Sequence, residues 1–264
     1  MDGGSPYASA WIGNRSTGEV VTAAASDVAT PRRLSAVIFD VDGVLVASPH
    51  EAAWREALTG LADPARFPTE IYQAYVAGKP RLSGAQAVLE HLGVPDAARQ
   101  AIGYAERKQR RIEQLIEAGD FAAFPDALRF LDAVRAKGFR VAAASSSKNA
   151  NAMMRRIPMP SGGSLLDAFD ANVCGRDFAR GKPDPEIFLS AAAELRVAPA
   201  ACLVVEDAPS GIAAARAGDM GALGVARLDD AALLRQAGAD LVVSSLDEVA
   251  TDALAEGRLR TRVT

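Results

Sequence analysis

Two carboxylates at the end of an apolar run are the residues of this sequence best suited to chemistry. The run at residues 36–39, Ala-Val-Ile-Phe, stops at Asp40, and Asp42 follows two positions later. Because side chains alternate faces along a strand, both carboxylates are expected on one side of the strand end. Two such groups repel each other unless a cation or a proton lies between them. The pair therefore predicts a cation site or acid–base chemistry, although Asp and Gly43 also form an ordinary turn after a strand.

Two later apolar runs also end in polar residues. Residues 141–144 stop at Ser145, and residues 203–205 stop at Glu206 and Asp207. In doubly wound parallel sheets, ligands bind beyond the carboxyl ends of the strands. Hydroxyl and carboxylate groups from separate strands are therefore expected to meet at one edge of one sheet.

A lysine in a proline-rich loop completes this set. Lys182 lies in Gly-Lys-Pro-Asp-Pro, ahead of a predicted helix. Taken alone, a surface loop lysine is the simpler explanation. Turn chemistry at every strand end is a poor explanation of the whole set, so we expect these segments to form one site.

The elements that position these residues alternate between strand and helix. Strand patterns recur at residues 139–144, 171–174, 202–205, 222–226 and 240–243. Helical patterns lie between or beside them at residues 125–137, 185–195, 210–217 and 230–237. This alternation predicts an α/β fold, in which a parallel sheet is covered by helices on both faces.

A block of helices interrupts this alternation after the first strand. It covers residues 51–59, 70–77, 83–91 and 97–118. Because no strand pattern occurs within it, the block predicts a separate helical domain. We therefore expect a disordered N-terminal extension, a sheet domain in two pieces and a helical cap, at residues 1–33, 34–47 with 124–264, and 48–123, respectively.

Composition excludes several classes of protein. The chain has 264 residues, of which 49% are hydrophobic and 23% charged, with a net charge of −4. These values are typical of a soluble globular protein and give no overall basic surface for nucleic acid or acidic membranes. Neither a secretory signal nor a membrane span is expected. Cys174 and Cys202 lack metal-ligand spacing and predict reduced core thiols in a cytoplasmic protein. No obligate protein partner is expected.

The motifs resemble those of the haloacid dehalogenase superfamily. The resemblance rests on DVDGV at residues 40–44, on the strand-end Ser145, on Lys182 in GKPDPEIF and on Glu206-Asp207 in VVEDAPSGI, and it extends over residues 34–246. Each motif is short, but four of them in this order are specific. The resemblance implies a Rossmann-like, three-layer core with an α-helical cap inserted after the first strand.

The same resemblance implies a magnesium site. It assigns as ligands the Asp40 carboxylate, the Asp42 backbone carbonyl and Asp207, with Glu206 supporting them directly or through water. Hard oxygen donors are the ligands that Mg²⁺ prefers. A divalent cation is also needed because a phosphate dianion and an approaching carboxylate repel each other.

The resemblance further implies the catalytic roles. Asp40 is the nucleophile that forms an aspartyl-phosphate, and Asp42 is the general acid and then the general base. Ser145 and Lys182 stabilise charge on the transferring phosphoryl oxygens. Asp42 argues against a dehalogenase, because those relatives lack an acid at this position.

Within the superfamily, the sequence is most similar to the β-phosphoglucomutase-like subgroup. That likeness implies substrate contacts by His50, Gly78, Lys79, Arg81, Lys108, Ser146, Ser147, Lys148 and Asn149. Several of these have ordinary alternatives: Ser147 or Asn149 can cap a helix, and Arg81 can be an exposed loop residue. Lys108 lies in a basic run, residues 107–111, that a solvated helix face also explains.

The function expected from these motifs is Mg²⁺-dependent phosphoryl transfer on a small phosphorylated metabolite, with a sugar phosphate as the expected substrate. Mutase and phosphatase share the core motifs and differ in whether a second substrate hydroxyl or water accepts the phosphoryl group. The alternative from another class is a non-catalytic protein that binds a phosphorylated metabolite. Binding alone does not require a nucleophile such as Asp40.

Overall fold

The computed structural model describes residues 33–262, so the predicted disorder of the N-terminal extension lies almost entirely outside the described residues. The strands within this range are β1 (Ala36–Phe39), β2 (Val46–Ala47), β3 (Ala122–Ala123), β4 (Arg140–Ala143), β5 (Ala171–Asn172), β6 (Cys202–Glu206), β7 (Gly221–Val225) and β8 (Leu241–Val243). Six of them form one parallel sheet in the order β5-β4-β1-β6-β7-β8.

This strand order places β1 where the winding of the sheet reverses. From β1 the chain proceeds to β4 and β5 on one side, and then crosses to β6, β7 and β8 on the other. Phe39 is paired with Ala143 of β4 and with Val205 of β6. Reversal points of this kind open a crevice at the carboxyl ends of the central strands. The predicted carboxylates and hydroxyls therefore come from the three strands that border it.

Helices cover both faces of this sheet. They are α5 (Pro125–Ala136), α6 (Ala150–Arg156), α7 (Glu186–Leu195), α8 (Pro209–Ala217), α9 (Ala231–Gln236) and α10 (Thr251–Ala255). Val37 and Phe39 of β1 contribute to one apolar cluster, whereas Ala36 and Ile38 contribute to another on the opposite face. The predicted α/β fold with three layers is thus confirmed.

Four helices between β2 and β3 form a compact group, here called the helical block. They are α1 (His50–Ala57), α2 (Thr69–Tyr75), α3 (Arg81–His91) and α4 (Ala97–Ala118). The block has its own apolar cluster, which includes Trp54, Phe67, Leu89 and Tyr104. Its helices agree with the predicted positions, while the division of the chain into core and cap domains stays a prediction.

Helix α4 belongs to two apolar clusters at once. Near its start, Ala101 and Tyr104 pack inside the helical block. Near its end, Ile112 and Ile116 pack with the residues that cover the sheet. The helix has 22 residues and is therefore about 33 Å long. It ends at Gly119, whose φ of 80° lies in the left-handed region that favours glycine.

The structure adds elements that the sequence did not predict. Strands β2 and β3 form a two-residue antiparallel ribbon that pairs Val46 with Ala123 and joins the block to the sheet. Elements of two residues are too short to display a strand period. The helices α6 and α10 were also missed, although α2 and α9 are of similar length and were predicted. Cys174 and Cys202 are buried free thiols, as predicted. Within residues 33–262, no helix is long and apolar enough to cross a membrane.

Candidate active site

Three adjacent strands deliver polar side chains to one end of the sheet. Asp40 directly follows β1, Ser145 lies two residues after β4, and Glu206 ends β6, with Asp207 next to it. Their carboxyl ends meet because β1 lies between β4 and β6. The expected convergence of these four residues is therefore present in the structure.

Lys182 is inserted between two of these carboxylates. Its Nζ lies 2.5 Å from Asp40 Oδ1 and 2.6 Å from Glu206 Oε1, and its side chain is completely buried. Burial alone would lower the pKa of Lys182, but the charges of Asp40 and Glu206 raise it above its ordinary value. Lys182 is therefore a buried, charged residue, and the surface explanation for it was wrong.

Negative charge accumulates around this lysine. Burial, with the nearby Glu206 and Asp42 carboxylates, raises the pKa of Asp40 to about 8 against the lowering effect of Lys182. Burial and then Glu206 and Asp40 raise the pKa of Asp207 well above its ordinary value. Within residues 33–262, Asp207 has no ion-pair partner. Each carboxylate would ionise more readily if an additional cation were bound.

The donor chemistry of this cluster fits a hard divalent cation. Asp40, Asp207 and Glu206 supply carboxylate oxygens, and such oxygens suit Mg²⁺. The turn after Asp42 approaches Asp207 so closely that a Cβ on Gly43 would overlap the Asp207 carboxylate. Among the described residues, no group of three or more acidic, His or Cys side chains is arranged to hold a metal by itself. A backbone carbonyl or a substrate oxygen would thus be needed to complete the coordination.

The Asp42 carboxylate is contacted by one residue that follows a strand of the sheet and by one residue of the helical block. Its Oδ2 accepts a hydrogen bond of 3.0 Å from Ser145 Oγ. Its Oδ1 is buried without a hydrogen-bond partner and lies 3.3 Å from His50 Nε2. His50 is the first residue of α1 and lies 2.9 Å, through Nδ1, from Lys108 Nζ on α4. A chain of polar contacts therefore leads from Asp42 to the helical block.

The charges of His50 and Lys108 are reduced by their surroundings. Burial and the neighbouring Lys108 lower the pKa of His50 to about 4, so the imidazole is neutral near pH 7. Burial lowers the pKa of Lys108 to about 7, although Asp42 raises it. The side chain of Lys108 is also 5.2 Å from the Trp54 ring. A solvated helix face does not describe Lys108, which is 97% shielded from solvent in this packing.

A cavity of about 340 Å³ opens between the helical block and the end of the sheet. This size is within the range of small-molecule sites. All the predicted substrate residues line it, together with most of the catalytic ones: Asp40, Asp42, His50, Gly78, Lys79, Arg81, Lys108, Ser145, Ser146, Ser147, Lys148, Asn149 and Asp207. Lys182 and Glu206 do not line the cavity, because they lie behind Asp40.

The loop before α3 rests directly against α8 and the loop that carries Lys182. Ser210 Oγ donates a 3.0 Å hydrogen bond to the carbonyl oxygen of Ala77. A Cβ on Gly78 would lie 2.6 Å from Ser210 Oγ, and one on Gly181 would lie 2.5 Å from Pro80 Cδ. Glycine is therefore required at both positions for this approach.

Two of the predicted substrate-binding lysines have other partners in this structure. Lys79 Nζ donates to the carbonyl oxygen of Ala74 and lies 5.9 Å from the Tyr75 ring. Lys148 Nζ is 2.8 Å from Asp177 Oδ1 at the rim of the cavity. Each ammonium group has three donors, so either lysine can bind a substrate oxygen with the donors that these partners leave free.

Sequence reasoning missed four polar residues of the cavity wall: Tyr72, Gln109, Arg176 and Asp177. Gln109 accepts a hydrogen bond from Arg81 and donates one of 3.1 Å to Asn149 Oδ1, so it joins α3 and α4 to the sheet domain. Tyr72 of α2 also lines the cavity, and burial followed by the charge of Asp207 raises its pKa well above the ordinary value. Tyr72 is one helical turn from Val76, which also lines the cavity, but Gln109 is adjacent to Lys108 in sequence and no helical spacing relates the two.

This chain is similar to known proteins over most of its length. A family model described as haloacid dehalogenase-like hydrolase matches residues 34–219. A β-phosphoglucomutase of Mycobacterium bovis is 35% identical over 244 residues, covering 83% of this chain and 92% of that protein. A phosphorylated carbohydrates phosphatase of Thermotoga maritima is 32% identical over 216 residues, covering 80% and 94%. The crystal structure of β-phosphoglucomutase from Pyrococcus sp. strain ST 04 matches with a TM-score of 0.68 at 33% identity, covering 84% and 97%.

Proposed function

This chain belongs to the haloacid dehalogenase-like hydrolases, and from that premise we propose that it is a Mg²⁺-dependent enzyme transferring the phosphoryl group of a small sugar phosphate through an aspartyl-phosphate. The observation that carries the proposal is the buried ion pair of Lys182 with Asp40 and Glu206, beside Asp42 and Asp207. Burying several carboxylates around one ammonium group is costly for a protein that only needs to fold. Such an arrangement favours a catalytic site.

In this mechanism Asp40 attacks phosphorus and the leaving alcohol departs. Asp42 gives that alcohol a proton and later removes one from the acceptor hydroxyl. The 3.0 Å hydrogen bond from Ser145 holds Asp42 Oδ2 and leaves Oδ1 facing the neutral His50. Lys182 keeps Asp40 in place and offers positive charge beside the phosphoryl oxygens.

Asp40, Asp207 and the backbone of Asp42 would hold Mg²⁺, with Glu206 in support. The cation, when bound, would screen the charge of Asp40 from that of the phosphate dianion. The raised pKa values of Asp40 and Asp207 support this assignment, because a bound cation favours the ionised carboxylates.

The acceptor of the phosphoryl group distinguishes a mutase from a phosphatase. The named relatives include both kinds of enzyme, and none of them supports a non-catalytic binding protein. A helical block acting as a cap would favour a sugar hydroxyl over water by closing the cavity. Arg81 and Lys108 on the block would then hold the distal end of a sugar phosphate or bisphosphate.

Sugar phosphates should be screened with Mg²⁺ while free phosphate and isomerised product are both measured. The wild-type protein should turn over at least one of them, and acid-quenched protein should carry one phosphoryl group. Asp40→Asn should lose both signals, while Asp132→Asn, on the exposed face of α5, should keep both. Phosphoryl label on the Asp40→Asn protein would refute the aspartyl-phosphate.

A further inference from the structure

A half-buried arginine joins the two connections between the sheet and the helical block. Arg227 lies two residues after β7, and 12% of its side chain is exposed. Its Nη1 is 2.8 Å from Asp126 Oδ2, and its Nη2 is 3.1 Å from Asp126 Oδ1. The guanidinium carbon is also 4.0 Å from the centroid of the Phe124 ring. Phe124 and Asp126 directly follow β3, where the chain returns from the block.

The same guanidinium reaches the connection that leads out to the block. Arg227 Nε donates to the Gly43 carbonyl oxygen at 3.4 Å, and Nη2 donates to the Val44 carbonyl oxygen at 3.3 Å. These are the two residues after Asp42. This turn also lies against Asp207, since a Cβ on Gly43 would overlap that carboxylate. The turn after Asp42 therefore contacts both Arg227 and Asp207.

Asp126 connects this arrangement to the segment that follows β8. Its Oδ2 also accepts hydrogen bonds from Ser245 Oγ at 3.0 Å and from the Leu246 backbone at 2.8 Å. The returning chain is tied to the outgoing one by the Phe124 N–H, which donates to the Leu45 carbonyl at 2.9 Å. Through Asp126 and Arg227, hydrogen bonds therefore link the loop after β8 to the turn after Asp42.

We infer that Arg227 is a positioning residue for Asp42. By holding the carbonyl groups of Gly43 and Val44, it keeps the Asp42 carboxylate within reach of the leaving oxygen. The inference rests on the proposed function, which makes Asp42 the general acid. Only a planar guanidinium pairs with a carboxylate through two donors, stacks on a ring and still directs donors at two carbonyls.

Such a role differs measurably from a purely structural ion pair. Loss of stability would reduce turnover of every substrate by the same factor. Displacement of a general acid slows most the substrates whose leaving groups need a proton. Phenyl phosphate and 4-nitrophenyl phosphate make this comparison, because phenolate is the more basic leaving group and both esters are of similar size.

The test measures kcat/KM for both esters with Mg²⁺, because this constant reports phosphoryl transfer to the enzyme. For Arg227→Met we expect a loss of about 10- to 100-fold with phenyl phosphate, as for a misplaced catalytic group. With 4-nitrophenyl phosphate the loss should stay within about threefold, since protonation contributes little there. Arg227→Lys should lie between wild type and Arg227→Met, and added guanidinium ion should partly restore phenyl phosphate hydrolysis by Arg227→Ala.

Arg216→Met is the matched control. Arg216 pairs with Asp240 at 2.9 and 3.0 Å, next to the amino end of β7 and away from the cavity. Its loss should change thermal stability without changing the ratio of the two rates. Equal losses for both esters in Arg227→Met and Arg227→Lys would overturn the inference. Asp42→Asn provides the separate check, because equal losses there would refute the proposed role of Asp42 itself.

Discussion

Replacing Gly181 with alanine should impair turnover by separating the helical block from the sheet. Gly181 has no positive φ, so its backbone accepts an alanine without strain. The added Cβ would overlap Pro80 Cγ and lie 2.5 Å from Pro80 Cδ. Carbon atoms in favourable contact are about 3.5–4.0 Å apart, so Pro80 must move away by more than an ångström. Arg81, the next residue, would move with it.

The size of this effect follows from the cost of overpacking. An extra methyl group in a packed contact costs typically about 1–3 kcal/mol. If the cost falls only on the arrangement in which the block contacts the sheet, the population of that arrangement drops about 5- to 160-fold. We therefore expect kcat/KM for a reactive sugar phosphate to fall within this range. The two apolar clusters of the sheet are untouched, so the thermal midpoint should change little.

A second substitution should relieve the same overlap. Pro80→Ala removes Cγ and Cδ, and the remaining Pro80 Cβ lies 3.6 Å from the new methyl position, which is ordinary contact. The double variant Gly181→Ala with Pro80→Ala should therefore recover most of the lost kcat/KM. Initial rates of phosphate release for the four proteins of this cycle make the measurement.

Gly103→Ala is the control for this experiment. Gly103 lies within α4, and a Cβ there would meet no atom within 4 Å. Its replacement should stabilise the helix by up to about 1 kcal/mol and leave the kinetics unchanged. If Gly181→Ala is as active as the wild type, the contact between Pro80 and Gly181 is not needed for catalysis. If it is inactive and the double variant is no better, the damage lies at the neighbouring Lys182 instead.

Three further outcomes are expected. Asp40→Asn should abolish phosphate release while far-ultraviolet circular dichroism stays unchanged, and residual turnover near the wild-type rate would disprove its role as nucleophile. Arg81→Ala should lower kcat/KM for a sugar phosphate by about 10- to 150-fold, the value of a charged hydrogen bond, and spare acetyl phosphate, which is too short to reach the helical block. The pKa of Asp126 lies below its ordinary value because hydrogen bonds from Arg227 outweigh burial, so its ionised form stabilises the fold above pH 3.8 and this contribution fades below it. Urea unfolding of Asp126→Asn should therefore depend less on pH in that window, and an unchanged dependence would contradict the assignment.

The end of each central strand could be predicted because apolar runs and polar residues meet there abruptly. Asp40, Ser145 and Glu206 each follow or end a run that is buried on both sides, so strand position alone brought them together. The helical block was also visible, since its amphipathic helices of 7 to 22 residues extend over about two turns or more and display their period. The local pattern of apolar and polar residues is sufficient to predict strand ends and amphipathic helices.

Other parts of the site depend on distances that no local pattern encodes. Gln109 joins Arg81 to Asn149 across 28 and 40 residues of sequence, and Arg227 contacts residues 101 and 183 positions away. The sequence around a long side chain on a loop or helix surface is the same whether that side chain is solvated or paired with a distant residue. Lys79 and Lys148 illustrate the converse, because their positions were predicted while their side-chain partners were not.

Helix α4 is a lever arm between the sheet and the helical block. Its last turns pack on the sheet and its first turns are built into the helical block, so a rotation of the block relative to the sheet would turn this helix about its end near Gly119. A turn of about 10° about that point would displace the far end at Ala97 by about 6 Å, but Gln109 by only about 3 Å. Small rotations are thus sufficient to break the hydrogen bond between Gln109 and Asn149. A spectroscopic label near Ala97 would report the same movement with twice the amplitude.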